Sequence, residues 1–500
     1  MKDGGSASSP AAPLPLEPGR NCWRTAIASR AALVVDAADY FRLARAAMLK
    51  ARYQILVMGW DLDTRLKLIE EEDDGDAPVH LGPFISWLAK RRPELCIHIL
   101  AWDGEVYRLL GRGTTLLRMA SWRLFNDRVS FKLDTAHPRE GSHHHKILVI
   151  DDAFAFCGGI DMTSSRWDTR EHKDDEPGRR RPTTHRKYEP WHDAALAVEG
   201  EAAKALGDLG RLRWKIACDE ELDCAGGHCE PWPDELEPQF RDVEVAIART
   251  RGDDGEREEL REVEALFVDM IGAAKRFIYA ENQYFASRVV TEAMARRLAE
   301  PDPPEIVLVN AHAGQSWLDE TVMGAARAEL VRAIGEADHK KRFRIYYPVT
   351  AKGRDIYVHA KVMIVDDAML RVGSANMNNR SMGLDTECDV MIDTSRPANQ
   401  ANSGKVGELR ADLMAEHLGV TPDIVAKAFA ETGSLIETVE RLRGPGRSLR
   451  PYEPPEFGAA AKTLAGSEAA DPESADEPFE PLAGHRLLRR LRRWRRRRRG

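Results

Sequence analysis

The sequence predicts an α/β protein made of two similar α-β-α halves, related by a pseudo-twofold repeat, with mixed β-sheets flanked by helices. Three observations carry that expectation. Apolar runs of strand length (Tyr53 to Met58, Cys96 to Ala101, Ile306 to Val309) alternate with helical periodicities (Tyr40 to Ala51, Asp319 to Ile334), the pattern of a sheet interleaved with helices. The chain also matches itself at an offset of 215. Lys146-Ile-Leu-Val-Ile-Asp151-Asp152-Ala153 overlays Lys361-Val-Met-Ile-Val-Asp366-Asp367-Ala368, His144 falls on His359, Gly158 on Gly373 and Met162 on Met377. Finally, 500 residues with 43% hydrophobic composition can bury substantial cores, and a repeat of about 200 residues is too long for a solenoid unit.

Taken in order, residues 1–22 are rich in Gly, Ser, Ala and Pro and are expected to be flexible. Residues 23–235 form the first half and 236–452 the second. Two weaker echoes support the division: YQILVMGWD (53–61) resembles RFIYAENQY (276–284), and PELCIHILAWDG (93–104) resembles PPEIVLVNAHAG (303–314). Residues 453–484 are a flexible, acidic, proline-bearing linker, and 485–500 a basic tail. The charged run from Arg170 to Glu189 interrupts the first half and is most simply a solvated loop.

Charge is distributed unevenly. The formal net charge is −8, yet ten arginines and no acid lie between Arg486 and Arg499, so the rest of the chain carries −18. An acidic body argues against a groove that wraps nucleic acid. No stretch approaches the roughly 18 uncharged apolar residues of a spanning helix, and the first residues lack the order of a signal peptide. A cytoplasmic protein, peripheral at the inner face of a membrane, is therefore expected. Seven scattered cysteines do not suggest a disulfide framework, and Cys218, Cys224, His228 and Cys229 lack a standard C-x2-C spacing, so no metal site is expected.

The repeated element is H-x-K-x4-D: His144, Lys146, Asp151, then His359, Lys361, Asp366. Residues two apart on a strand share a face, so each histidine points the same way as its lysine. Two such strands meeting across a pseudo-twofold axis place two imidazoles and two ammonium groups around one small volume. That suits a phosphodiester: lysines neutralise non-bridging oxygens, one imidazole attacks phosphorus and the other protonates the leaving oxygen. One His-x-Lys alone is better read as a packed strand edge. Two copies in register, each followed by Gly at the same distance, favour catalysis.

These paired motifs, with GGID (158–161) after the first and GSAN (373–376) after the second, resemble the phospholipase D superfamily over about residues 25 to 450. GGIDMTSSRWDT, PWHD (190–193), ENQYF (281–285) and NNRSMGLDTE are similar to the phosphatidylcholine-cleaving enzymes of that superfamily. The resemblance implies a catalytic core without room for PX, PH or C2 modules, and a ping-pong mechanism through a phosphohistidine with no catalytic metal or other cofactor. It implies His144 as the nucleophile and His359 as the acid, then base. The residues by themselves leave open which imidazole attacks. Lys146, Lys361 and Asn376 would hold phosphate oxygens, with Asp161 in the place of Asn376 in the first half.

A carboxylate on the next strand would fix each imidazole, Asp193 with His144 and Glu387 with His359. Asp151 and Asp366 are expected to stabilise the far turn through ion pairs rather than touch substrate. Gly159 allows close backbone approach, and Ser374 is a candidate phosphate donor. Gln283 and Tyr284 are expected to line the cleft, while Trp60, Trp167 and Trp191 are expected either at its mouth or, no less readily, in the core or at the rim.

In the tail, Leu487, Leu488, Leu491 and Trp494 form one stripe of a helix with arginine elsewhere, as expected of a segment lying on an anionic membrane surface. The implied activity is phospholipase D on glycerophospholipids. A cardiolipin-synthase-like phosphatidyltransferase, a nuclease of the same superfamily and a lipid-tethering protein with a dead site are the alternatives. Both motifs lie in one chain, so a monomer without an obligate partner is expected.

Overall fold

A computed structural model of the chain describes residues 12–70, 75–105, 114–138, 140–224, 229–314, 323–456 and 471. The strand-length runs of the sequence fold as strands: Gln54–Gly59, Cys96–Trp102 and Glu305–Asn310. The helical periodicities become Ala37–Lys50 and Ala325–Ala337, the latter beginning later than its periodicity, whose first residues lie outside the described ones. The motif strands are Ile147–Ile150 and Lys361–Val365, both fully buried, as their β-branched apolar composition requires.

Each half repeats one strand order from the centre outwards. In the first half it runs Arg24–Val35, Ala194–Gly200, Phe154–Gly158, Ile147–Ile150, Gln54–Gly59, Cys96–Trp102, Val129–Asp134. In the second it runs Phe240–Arg251, Glu387–Asp393, Met369–Gly373, Lys361–Val365, Phe277–Asn282, Glu305–Asn310, Phe343–Val349, with Ser448–Pro451 added at the edge. The three outer strands of each order are parallel and the motif strand joins them antiparallel, so both echoes in the sequence occupy equivalent places.

The mixed sheets expected of the two halves are joined edge to edge. Arg24–Val35 pairs antiparallel with Phe240–Arg251, so all these strands form one continuous sheet. The two twelve-residue strands carry the sheet from one half into the other. Strands Phe154–Gly158 and Glu387–Asp393 then face each other, with Cys157 Sγ 3.7 Å from Cys388 Sγ. A central apolar cluster draws on both halves (Leu196 and Val198 with Val372 and Val390), while each half has its own outer cluster under its helices. Apolar burial along the whole interface is what fixes the two motif strands relative to one another.

The beginning of the chain differs from expectation. Leu14 and Cys22 are buried in the outer cluster of the second half, and the Leu14 amide donates to Asp393 Oδ2 at 2.8 Å. Residues 14–22 are thus anchored at both ends, with 17–20 exposed between them. The run from Arg170 to Glu189 is solvated over much of 180–187, but its first part is tied down. Arg170 pairs with Asp412 and Glu416, Thr350 donates to Asp174, and His172 and Arg179 are buried, so its charges clamp the second half. Among the described residues no helix is long and apolar enough to cross a membrane. The basic tail 485–500 and residues 457–470 and 472–484 of the linker lie outside the described residues.

Candidate active site

Both motif histidines sit just before a buried strand, and backbone bonds across the halves hold them there. The His144 and His145 amides donate to the Thr386 carbonyl at 2.9 Å, and the His359 amide donates to the His192 carbonyl at 2.7 Å. Each histidine is therefore anchored to the other half, one residue before that half's carboxylate. This geometry reverses the expected pairing. His144 Nδ1 lies 3.1 and 3.2 Å from the Glu387 oxygens, and His359 Nδ1 lies 2.7 Å from Asp193 Oδ2. The same-half pairing fails because each carboxylate begins or precedes a strand that lies beside the other half's motif. With Nδ1–H given to a carboxylate, Nε2 of each ring is left for chemistry.

The lysines follow on the same face. Lys146 Nζ donates to the His144 carbonyl at 2.7 Å and lies 3.3 Å from Asp161 Oδ2. Lys361 Nζ donates to Gln283 Oε1 at 3.2 Å and to the His359 carbonyl. Burial first, and then the two ammonium groups, push both imidazoles well below the usual histidine value, so both rest neutral. Burial likewise raises the carboxyls of Glu387 and Asp193. It also pushes Lys361 down to about 7, with Lys146 adding to the effect.

The remaining expected residues separate into those that meet the site and those that support it. Ser374 Oγ is not free for phosphate: it donates to Glu387 Oε2, while Ser381 Oγ donates to Oε1 at 2.6 Å. Together they hold the carboxylate that holds His144. Asp161 is also committed. Its Oδ1 accepts from the amides of Trp60 and Asp61 at 3.0 and 3.3 Å, and it faces Lys146, so it orients that lysine rather than a phosphate oxygen of its own sign. Asn376 is buried with Oδ1 unpartnered. Gly159 is required, because a Cβ there would collide with Asp193 Oδ1. Gln283 reaches Lys361 and donates to the Tyr357 hydroxyl at 2.9 Å, and Tyr284 lies beside it at a pocket that Tyr357 also lines.

Asp151 and Asp366 are far from the chemistry but do not act through ion pairs. The Asp151 carboxylate accepts from the amides of Arg52, Tyr53 and Gln54, and the Asp366 carboxylate from those of Lys275, Arg276 and Phe277. Each thereby pins its motif strand to the start of the neighbouring parallel strand. Of the tryptophans, Trp60 stacks on Trp102 and presents an edge to His144, and Trp191 lies 5.1 Å from His359, stacked on Tyr357. Trp167 belongs to the core. His143 is taken up by Asp134, Arg213 and Thr386.

Sequence reasoning missed Ser381 and Arg166. The guanidinium of Arg166 lies 4.1 Å from the Trp191 ring and adds positive charge beside His359. Both stood inside the motif-like runs NNRSMGLDTE and GGIDMTSSRWDT, but nothing in their spacing marked them.

The phospholipase D family model matches residues 329–443, which contain His359, Lys361, Asp366 and Glu387. Over this segment the chain is similar to the phospholipase D family. Phospholipase D alpha 4 of Arabidopsis thaliana is 23% identical over 511 residues, covering 81% of this chain and 66% of that protein. Phospholipase D1 of Schizosaccharomyces pombe is 26% identical, covering 57% of this chain and 28% of that protein. The chain thus spans less than two thirds of the length of these relatives. Among solved structures, the phosphatidylserine synthase of Haemophilus influenzae shares the fold, with a TM-score of 0.55, 13% identity, and coverage of 88% of this chain and 93% of its own. A phospholipase D fold with two intact motifs is what these likenesses and the geometry have in common.

Proposed function

We propose that the protein is a phospholipase D, a phosphodiesterase that hydrolyses glycerophospholipids such as phosphatidylcholine to phosphatidic acid and free head group, and that transfers the phosphatidyl group when an alcohol replaces water. The observation that carries this reading is the pair of neutral imidazoles, each tied by Nδ1 to a buried carboxylate of the opposite half, beside two lysines.

As the anionic phosphodiester binds, His359 takes up a proton from solvent on Nε2; His144 Nε2 then attacks phosphorus while His359 Nε2 gives that proton to the head-group oxygen, which leaves. Water or an alcohol then loses a proton to His359 and attacks phosphorus, and the His144–phosphorus bond breaks. Lys146 and Lys361 hold the non-bridging oxygens through both steps, and Asn376 adds a polar contact. The division of roles has physical support. The 2.7 Å bond from His359 to Asp193 stabilises an imidazolium more than the 3.1 Å bond from His144 to a carboxylate already satisfied by Ser374 and Ser381. The ring that must carry a proton is then His359. The anionic substrate itself raises the proton affinity of that ring by offsetting the lysines.

The same proposal places the enzyme at a membrane surface through residues 486–499, whose ten arginines could each contribute about 1 kcal/mol near anionic lipid as an upper bound. The test is a panel of phosphatidylcholine and phosphatidylethanolamine vesicles with mass-spectrometric identification of products. Head-group release, and a phosphatidyl-alcohol when a primary alcohol is added, support the reading. Cleavage of DNA with no release from any phospholipid overturns it. Deletion of 485–500 should weaken vesicle binding in a salt-sensitive way while sparing a soluble short-chain substrate.

A further inference from the structure

Beside the active site lies a second cluster of titratable groups that the reaction does not use. We propose that Asp36, His172, His192 and Glu416 form a closed, tetrahedral site for one divalent cation of the zinc class, buried at the junction of the two halves. The site binds no substrate. Its role is to fix the strand that carries Asp193.

The donor atoms already stand at coordination spacing. His172 Nε2 lies 3.4 Å from Asp36 Oδ2 and 3.1 Å from Glu416 Oε1, and His192 Nδ1 lies 3.3 Å from Asp36 Oδ1 and 2.8 Å from Glu416 Oε1. All four donors fall within 4.8 Å of one another, in fully buried side chains. Metal–ligand bonds of about 2.0–2.1 Å at tetrahedral angles set the donors roughly 3.3 Å apart. Two imidazoles and two carboxylates are also the donor set that such an ion prefers over calcium or magnesium.

The outer contacts are those of metal-bound histidines. In each ring, the nitrogen not facing the cluster is held by a further carboxylate: His172 Nδ1 is 2.9 Å from Asp168 Oδ2, and His192 Nε2 is 2.7 Å from Glu281 Oε2. Those carboxylates are themselves fixed, Asp168 by Arg179 and Glu281 by the Tyr279 hydroxyl and His417.

One further observation points to a missing ligand. Asp36 Oδ2 is buried and has no hydrogen bond, an expensive state that a cation would relieve. Charge agrees. Asp36, Asp168, Glu281 and Glu416 face Arg170 and Arg179 directly, with Arg447 at longer range, so neutral imidazoles leave the pocket net negative. The competing arrangement, two imidazolium ions, would also balance the charge, but it meets Asp36 Oδ2 only through a long 3.4 Å contact from His172 Nε2.

The consequence for catalysis is positional. Asp36 Oδ1 accepts from the Asp193 amide at 3.1 Å, the Asp36 amide donates to the Asp193 carbonyl at 2.8 Å, and the His192 carbonyl accepts from the His359 amide. An ion joining Asp36, His192 and the helix Lys405–Leu418 would therefore set both members of the His359–Asp193 pair.

The full chain tests this directly. Elemental analysis of the purified protein should find about one equivalent of zinc. Protein unfolded with chelator and refolded with cobalt(II) should show the intense visible bands of a tetrahedral ion. His172→Ala and Glu416→Gln should each lose metal and bands, while His144→Ala, at the active site, keeps both. If folded wild-type protein holds no stoichiometric metal and gives no tetrahedral cobalt spectrum, the site does not exist. Metal retained by a folded His172→Ala/Glu416→Gln double variant would place the ion elsewhere and overturn the assignment equally.

Discussion

The two halves offer the same histidine and lysine in the same register, yet surround them differently. His144 donates to Glu387, whose oxygens are both occupied by serine hydroxyls, and its lysine faces Asp161. His359 donates at 2.7 Å to Asp193, whose backbone is tied to Asp36, and its lysine faces the neutral amide of Gln283. Duplication thus supplied two equivalent imidazoles, and the second layer of contacts made them unequal. In the proposed mechanism the half with the shorter carboxylate bond carries the proton, and the half with the longer one keeps a neutral, nucleophilic ring.

The largest expected effect removes either ring. His144→Ala and His359→Ala should each lower kcat/KM on vesicles by about 10⁴-fold or more, with circular dichroism unchanged. Appreciable turnover in either variant would remove the two-histidine scheme. Next in size are the carboxylates: Glu387→Gln and Asp193→Asn should each cost roughly 10²–10⁴-fold, because an amide no longer fixes the tautomer. Imidazole nitrogen NMR distinguishes the pairing. Glu387→Gln should move the His144 resonances and Asp193→Asn those of His359, and the opposite pattern would restore a same-half arrangement.

A smaller effect concerns pH. Both imidazoles are pushed well below their usual value, so acid does not remove the neutral nucleophile until well below pH 6.5, whereas Lys361, lowered to about 7, loses its charge as pH rises. His359, which must hold a proton in the first step, is pushed down as well, so kcat/KM should fall as pH rises through loss of that proton and, from near pH 7, of the Lys361 charge. Lys361→Arg, which stays charged, should remove the part of that limb near pH 7 at reduced activity. An unchanged alkaline limb would separate it from Lys361. The smallest effect on chemistry is expected from Asp151→Ala. Losing three backbone bonds should cost about 2–3 kcal/mol in denaturant unfolding while leaving the pH profile in place.

Much of this was legible in the chain. The self-match placed both motif strands, both histidines and both lysines, because a buried β-branched strand and an exact spacing are local properties. The pairing of carboxylates was not legible. His144 and Glu387 are 243 residues apart and His359 and Asp193 are 166, and which carboxylate reaches which ring depends on how the halves dock. The first part of the run from Arg170 to Glu189 misled for a related reason. Its dense charge resembles a solvated loop, and only Asp412, Glu416 and Thr350, far along the chain, convert those charges into a clamp. Asp36, His172, His192 and Glu416 likewise share no motif and meet only after folding.

The division of labour between the halves is tested most directly with a phospholipid whose leaving group, p-nitrophenolate, needs no acid. His359→Ala mixed with phosphatidyl-p-nitrophenol should release a burst of about one equivalent of p-nitrophenolate and then stall, with mass spectrometry at neutral pH finding the phosphatidyl group on His144. His144→Ala should give no burst. A burst from His144→Ala with the adduct on His359, or no adduct on either ring, would contradict the account.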